Sequence, residues 1–200
     1  MTSAFEDGYT PLPKGKLATV VTWLEMTSPP SVAPPDWPEG ITFQKVAPPA
    51  PAEYRMLFRA IGQNLLWVSR LKMSDETLAA TLSHPEVELF HLLRDGVPIG
   101  LVELNFCAPG ECELAFFGLV EGETGRGLGK PMMGAALAAA WARPVSKVWL
   151  HTCHFDHPSA LAFYQRMGFR PVEIRVEVLD DPRLSGLLPR EAAPQVPLID

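Results

Sequence analysis

The stretch Thr124-Gly-Arg-Gly-Leu-Gly-Lys130 decides how this chain is read. It follows the apolar run Glu113-Leu-Ala-Phe-Phe-Gly-Leu-Val120 and precedes Pro131-Met-Met-Gly-Ala-Ala-Leu-Ala-Ala-Ala-Trp-Ala142. The first run reads as a strand and the second as a helix. A glycine loop between strand and helix aims backbone N–H groups at an anion. The first turn of a helix has N–H groups without internal partners, and the helix dipole adds partial positive charge there. Glycines let a phosphate approach the backbone closely. The loop is therefore a candidate site for a phosphorylated ligand.

Working outward, 200 residues suffice for one domain with a sizeable core. Apolar content of 47% and charged content of 20% are those of an ordinary soluble globular protein. The net charge of −6 disfavours nucleic acid or an anionic membrane as partner and suits a cationic one such as an amine. Three cysteines, Cys107, Cys112 and Cys153, do not make a disulfide framework. The expectation is a reduced, cytoplasmic chain. Glu6, Asp7 and Glu25 interrupt any signal-peptide pattern, and no apolar stretch approaches the ~20 residues that span a bilayer.

Prolines punctuate the first quarter: Pro29, Pro30, Pro34, Pro35 and Pro38, then Pro48, Pro49 and Pro51. These segments are expected to be extended and irregular. Ala18 to Glu25 is rich in β-branched residues and reads as a strand. It lies outside the later pattern, so residues 1–40 are set apart as an extension packing on the main domain or on a partner, residues 41–180 as the main domain, and 181–200 as a tail. Ile41 to Val46 is a short strand. Residues 52–69 are helical, with apolar positions at Met56, Leu57, Ala60, Ile61 and Leu65. Ser74 caps a second helix carrying Leu78 and Leu82. Val87 to Arg94 and Ile99 to Phe106 flank the hairpin turn Asp95-Gly96. Glu113 to Val120 is the next strand. After the glycine loop and its helix come the strand Lys147 to Cys153, the helix Pro158 to Met167 ended by Gly168, and one or two strands over Phe169 to Leu179. This order predicts an α/β fold, a mixed sheet with helices on its faces.

Three phosphate motifs compete for the loop. A P-loop requires glycine where Thr124 stands and a hydroxyl where Pro131 stands, so its magnesium ligand is missing. A dinucleotide fingerprint starting at Gly125 or Gly127 requires its last glycine at Lys130 or Met132, and fails. The third motif takes in the second half of the chain. Thr124-Gly-Arg-Gly127-Leu-Gly129 resembles the acyl-CoA loop of the GNAT superfamily of N-acetyltransferases, Arg/Gln-x-x-Gly-x-Gly/Ala. Further on, Ala160, Tyr164, Gly168 and Phe169 match that family's helix motif, Asn-x-x-Ala-x-x-x-Tyr-x-x-x-Gly-Phe. The two occur in order with a strand between them, and the resemblance covers residues 41 to 175. Thr124 departs from the usual Arg/Gln, and His157 from the usual asparagine.

The resemblance implies a mostly antiparallel central sheet with two splayed parallel strands and flanking helices. It implies transfer of an acetyl group from acetyl-CoA, as co-substrate, to an amine on a small molecule or peptide. The pyrophosphate would lie on the N–H groups of Gly125, Arg126, Gly127, Leu128, Gly129 and Lys130. The pantetheine arm would pair with the backbone of Phe117, Gly118, Leu119 and Val120, where one N–H polarises the thioester carbonyl. Tyr164 is the candidate general acid. Glu113 is the candidate base, with Glu103 the alternative. His154 and His157 are expected near the cofactor sulfur, with Asp156 sharing the contact of the missing asparagine. His151-Thr-Cys-His-Phe-Asp-His157 holds metal-binding residue types, but strand alternation sends His151 and Cys153 to one face and His154 to the other, so no metal site is expected. Trp23, Trp37 and Trp67 are candidates to line the acceptor pocket. The strand Ala18 to Glu25 is a candidate for pairing across a homodimer. The alternative function is a degenerate module that binds acyl-CoA without transferring the acyl group.

Overall fold

The computed structural model describes residues 7–30 and 37–199. Glu6, Pro34 and Pro35, noted above, lie outside the described residues. Among those described, the elements run β1 (Lys16–Met26), β2 (Ile41–Val46), α1 (Pro51–Gly62), α2 (Asp75–Leu82), β3 (Val87–Arg94), β4 (Val97–Asn105), β5 (Glu111–Leu119), α3 (Gly129–Trp141), β6 (Lys147–Cys153), α4 (Ala160–Arg166) and β7 (Arg170–Asp180). The strands form one sheet in the order β2-β3-β4-β5-β6-β1-β7. Only β5 and β6 pair in parallel, and α3 makes the crossover that parallel neighbours require.

The strands and helices read from the sequence are present, with ends shifted by a few residues, except that the helix expected over 52–69 stops at Gly62 and only a 3-10 turn, Gln63–Leu65, follows it. Residues 170–180 form a single strand. Ser74 caps α2 as expected, its Oγ accepting from Thr77 N–H at 3.2 Å. The apolar face of α1 is rotated from the expected one. Tyr54, Phe58 and Ile61 are buried, whereas Met56 is 67% exposed. The spacing i, i+4, i+7 marks one helical stripe, and it is chosen by two aromatic rings rather than by the methionine.

The largest difference concerns β1. Set apart in the sequence as part of an extension, it lies inside the sheet, antiparallel to β6 on one side and to β7 on the other. From Val21 to Glu25 it is paired on both sides within the chain, so that stretch has no free edge for a second molecule. Alternation alone marks a strand but not its neighbours, since partners are chosen by packing across the whole sheet.

Two apolar layers result. Leu24, Phe90, Leu104, Leu114, Met132, Met133 and Leu137 fill the layer under α3. Tyr54, Phe58, Leu78, Leu82, Leu89 and Leu101 fill the layer under α1 and α2. The tail beyond β7 joins this second layer through Leu188, Ala192 and Ala193. It is folded around Arg183, whose guanidinium is 2% exposed and donates to Asp181 at 2.7 and 3.0 Å. Arg183 also donates to the carbonyls of Ala192, Ala193, Val196 and Pro197. From this hub the tail reaches α1 and the turn after it: Arg59 donates to Leu187 O, and Ala193 N–H donates to Asn64 Oδ1. Arg183→Ala removes the cation from a buried carboxylate, which keeps the backbone N–H of residue 183, and takes a donor from four carbonyls. Urea unfolding should show a loss of about 3–5 kcal/mol, the range for a broken buried ion pair.

Candidate functional site

The ladder between β5 and β6 runs only from Glu111–Lys147 to Glu113–Trp149. Beyond it β5 continues to Leu119 and β6 to Cys153, diverging around a cleft of about 1500 Å³. A β-bulge sets the divergence. Glu103 pairs with Phe116 and Leu104 with Leu114, which leaves Ala115 as the extra residue of β5. Such a bulge bends its strand and increases its twist.

Backbone direction along the open stretch follows from one hydrogen bond. Val120 N–H donates to Ile99 O at 2.9 Å, on the β4 side. In an antiparallel pair the bonded groups alternate, so Gly118 also turns toward β4. Phe117 and Leu119 turn their N–H and C=O groups toward the cleft. Of the four residues expected to offer backbone to a ligand arm, Gly118 and Val120 are thus engaged elsewhere. Gly118 matters in another way. A Cβ there would lie 2.4 Å from Ile61 Cγ2 and 3.1 Å from Trp67, so only glycine lets α1 and the following loop close against β5.

The glycine loop lies at one end of the cleft. Gly125 and Gly127 have φ of +81° and +80°, a region L-residues avoid. A Cβ on either would meet nothing within 4 Å, so the backbone faces open space. No side chain caps α3, and no acid lies in its first turn. Leu128 is buried and supplies backbone alone. Lys130 lines the cleft. Arg126 does not. It turns to Glu123, 3.9 Å away, which Arg94 holds with two bonds of 3.1 and 2.7 Å. Thr124 is in the cleft wall.

Across the cleft, Tyr164 of α4 stands edge-on to Phe117 and Phe169, with centroids 6.5 and 6.2 Å apart. Among the described residues its hydroxyl has no hydrogen-bond partner. Burial, and then the nearby Asp156 charge, push its pKa well above the usual tyrosine value, so it keeps its proton. Asp156 is not free for a ligand. It accepts from Trp67 Nε1–H at 3.0 Å, Thr152 Oγ1–H at 2.7 Å and Cys153 N–H at 3.0 Å. It ties the loop after α1 to the end of β6. His157 lines the cleft, and its Nδ1 accepts from Ser159 N–H at 3.2 Å just before α4. An asparagine oxygen makes the same kind of contact, to the N–H two residues on, in an Asx-turn. His154, expected near the sulfur, is exposed and outside the cleft wall. Its N–H donates to Thr19 Oγ1 and Val20 O of β1. His151, two residues before Cys153 and on the same face of β6, is in the wall instead.

Glu113 lines the other half of the cleft, and Glu103 lies outside its wall. Glu103 is fully buried, accepting from Tyr54 Oη–H at 2.6 Å and from Arg70. Both its oxygens are engaged. Glu113 is half-buried and accepts from Asn105 Nδ2–H at 3.3 Å. Burial raises its pKa, against the opposing pull of His151 and Asn105. Of the three tryptophans, only Trp67 lines the cleft. Trp23 packs on His151 with centroids 5.3 Å apart, and Trp37 stacks on Phe43 at 6.0 Å. The sequence pointed to neither Arg70 and Asn105 nor Glu177 and Leu179 of β7 as cleft residues. Each is an isolated residue in an ordinary strand or loop, and only the bulge and the place of β1 bring them here. Among the described residues no group of three or more His, Cys, Asp or Glu side chains is placed to hold a metal ion. No described helix is long and apolar enough to cross a membrane.

Solved structures share this architecture. A GCN5-related N-acetyltransferase from Kribbella flavida superposes with a TM-score of 0.56 at 22% identity, covering 86% of this chain and 63% of that one. A GCN5-related N-acetyltransferase from Sphaerobacter thermophilus gives 0.58 at 18% identity, covering 82% and 52%. A GNAT-family protein from Novosphingobium aromaticivorans gives 0.58 at 17% identity, covering 86% and 71%. The chain thus spans about half to two thirds of the length of the first two. Such identities show the fold alone. No curated protein matches significantly. The profile of the acetyltransferase (GNAT) family matches residues 54–169, from Tyr54 at the buried carboxylate to Phe169 beside Tyr164. With more than half its length matched, and the splayed strands, glycine loop and α4 in the family's order, this chain belongs to the GNAT acetyltransferase family.

Proposed function

We propose that the cleft takes acetyl-CoA and passes the acetyl group directly to an amine. The observation that carries this is the open β5 edge at Phe117 and Leu119, between an uncapped helix start and a tyrosine whose hydroxyl is unengaged. The residues present fit the group. Open space over Gly125 and Gly127 admits a pyrophosphate, with the N–H groups from Gly125 to Lys130 and the Lys130 ammonium to hold it. Phe117 and Leu119 would hold the pantetheine arm as an added strand. Bound there, the thioester supplies an activated acyl carbon.

The remaining chemistry belongs to this chain. An alkylammonium must lose a proton before it attacks. Glu113 is the base, because Glu103 already accepts from Tyr54 and Arg70. Its raised pKa brings it toward the range where a carboxylate removes protons efficiently near neutrality. Tyr164 keeps its proton and holds it for the departing sulfur. Glu113 and Glu177 in the wall favour a cationic acceptor, and Trp67 and Phe116 offer apolar surface to the rest of it. The acceptor is a small amine or a peptide amine.

A thiol-release assay over an amine panel, beside calorimetric titration with coenzyme A, tests the reading. Tight cofactor binding without turnover on any amine would make the chain a binding module instead. Tyr164→Phe should lower kcat by about 100-fold with little change in cofactor affinity. The rate should rise with pH as Glu113 ionises, with a midpoint above the ordinary glutamate range. Glu113→Gln should remove that limb and lower kcat by about 100-fold. Gly127→Ala forces an L-residue into positive φ at a cost of about 1–2 kcal/mol. It should weaken coenzyme A binding about tenfold while leaving kcat at saturation largely intact.

A further inference from the structure

Among the described residues strand β7 is the last of the sheet, bonded to β1 on one side only. It is 11 residues long and exposed along nearly its whole length. Val172, Ile174, Val176 and Val178 are 54%, 68%, 44% and 54% exposed. Strand alternation puts Ile174, Val176 and Val178 on one face and Glu173, Arg175 and Glu177 on the other. The irregularity opposite Trp23 and Leu24 falls at Val172, so the stretch from Glu173 onward pairs regularly. Natural sheets blunt such edges with charged side chains, lysine above all, and with prolines, bulges or a covering segment. Here the only proline, Pro171, and the bulge are both at one end, and β7 has no lysine.

We propose that β7 pairs antiparallel with β7 of a second copy of this chain, about a two-fold axis at Val176, joining the two sheets edge to edge. The charge row selects this occupant. Arg175 is held by Glu173 of its own strand at 2.8 and 2.7 Å. Glu177 has no ion-pair partner among the described residues. With the axis at Val176, Glu177 of each copy faces Arg175 of the other, Ile174 meets Val178, and Val176 meets Val176. Moving the axis to Arg175 would set Glu173 against Glu177 and Arg175 against Arg175. Like charges directly opposite disfavour that register. The strand is therefore complementary to itself, as an isologous interface requires. Glu177 and Leu179 also line the cleft, so the junction borders the acceptor side of both sites.

Light scattering and sedimentation equilibrium of the full chain test this. The wild type should have the mass of a dimer. The double variant Ile174→Lys/Val176→Lys should be monomeric with an unchanged far-ultraviolet circular dichroism spectrum. Glu177→Arg should weaken dimerisation by about tenfold or more, and Arg175→Glu combined with Glu177→Arg should restore it. If the lysine variant does not fold, Val176→Cys in a Cys107→Ser background decides, since residues on the axis should form a cross-linked dimer on oxidation. A monomeric wild type at all soluble concentrations overturns the proposal. So does a lysine variant that remains dimeric, or the absence of the cross-link.

Discussion

The structure depends on a sheet that pairs two parallel strands for only three residues and then parts them. From Leu114 to Leu119 one edge of β5 has no strand beside it among the described residues. Each buried backbone group left unpaired costs about 1–3 kcal/mol, so this edge must face water or a ligand that can act as a strand. The Ala115 bulge bends β5 away, and Phe117 and Leu119 then present their groups to the opening. A cleft formed this way is selective before any side chain is considered. It favours a long ligand with alternating donors and acceptors, and the helix start beyond it favours one that ends in an anion.

The segments flanking the family-matched part, on either side, complete the other half of that cleft. β1 fills the place between β6 and β7, and so fixes β7 where Glu177 and Leu179 reach the wall. The tail, organised by the buried Asp181–Arg183 pair, packs under α1 and bonds Asn64. Trp67 is held at both ends, its ring by Phe58 and Phe116 and its indole N–H by Asp156. The half of the cleft around Trp67 and Glu177 is thus built by contacts distant in sequence, whereas the half at the glycine loop is one contiguous strand-loop-helix.

That difference explains what could be read in advance. The glycine loop, Tyr164 and the strands around them are local patterns, in which turn residues and periodicity carry the information. Lys147 to Cys153 and Ile41 to Val46 were legible to the residue for the same reason. The site of β1, the bulge at Ala115 and the use of Glu103 as a buried acceptor were not. Each is decided by which strands pair and in what register, and one residue of slip exchanges the two faces of a strand. His154 and His157 show the limit at single-residue scale. Both lie close to α4 in sequence, yet one bonds Ser159 in the turn before that helix and the other bonds back to β1.

The partition of charge follows from the same geometry. Two carboxylates, Glu103 and Glu113, stand on neighbouring strands near the opening. Left alike, they would compete for protons and neither role would be defined. Arg70 and Tyr54 both donate to Glu103, which buries it as a structural acceptor and leaves Glu113 with a single amide donor. Desolvation of Glu113 then outweighs the opposing pull of His151, Asn105 and Arg70, and its pKa rises. At the far end, Lys130 and the start of α3 supply positive potential with no acid in the first turn. Under the proposed function a cationic amine would be drawn to one end of the cleft and a phosphorylated carrier to the other, with β5 running between them.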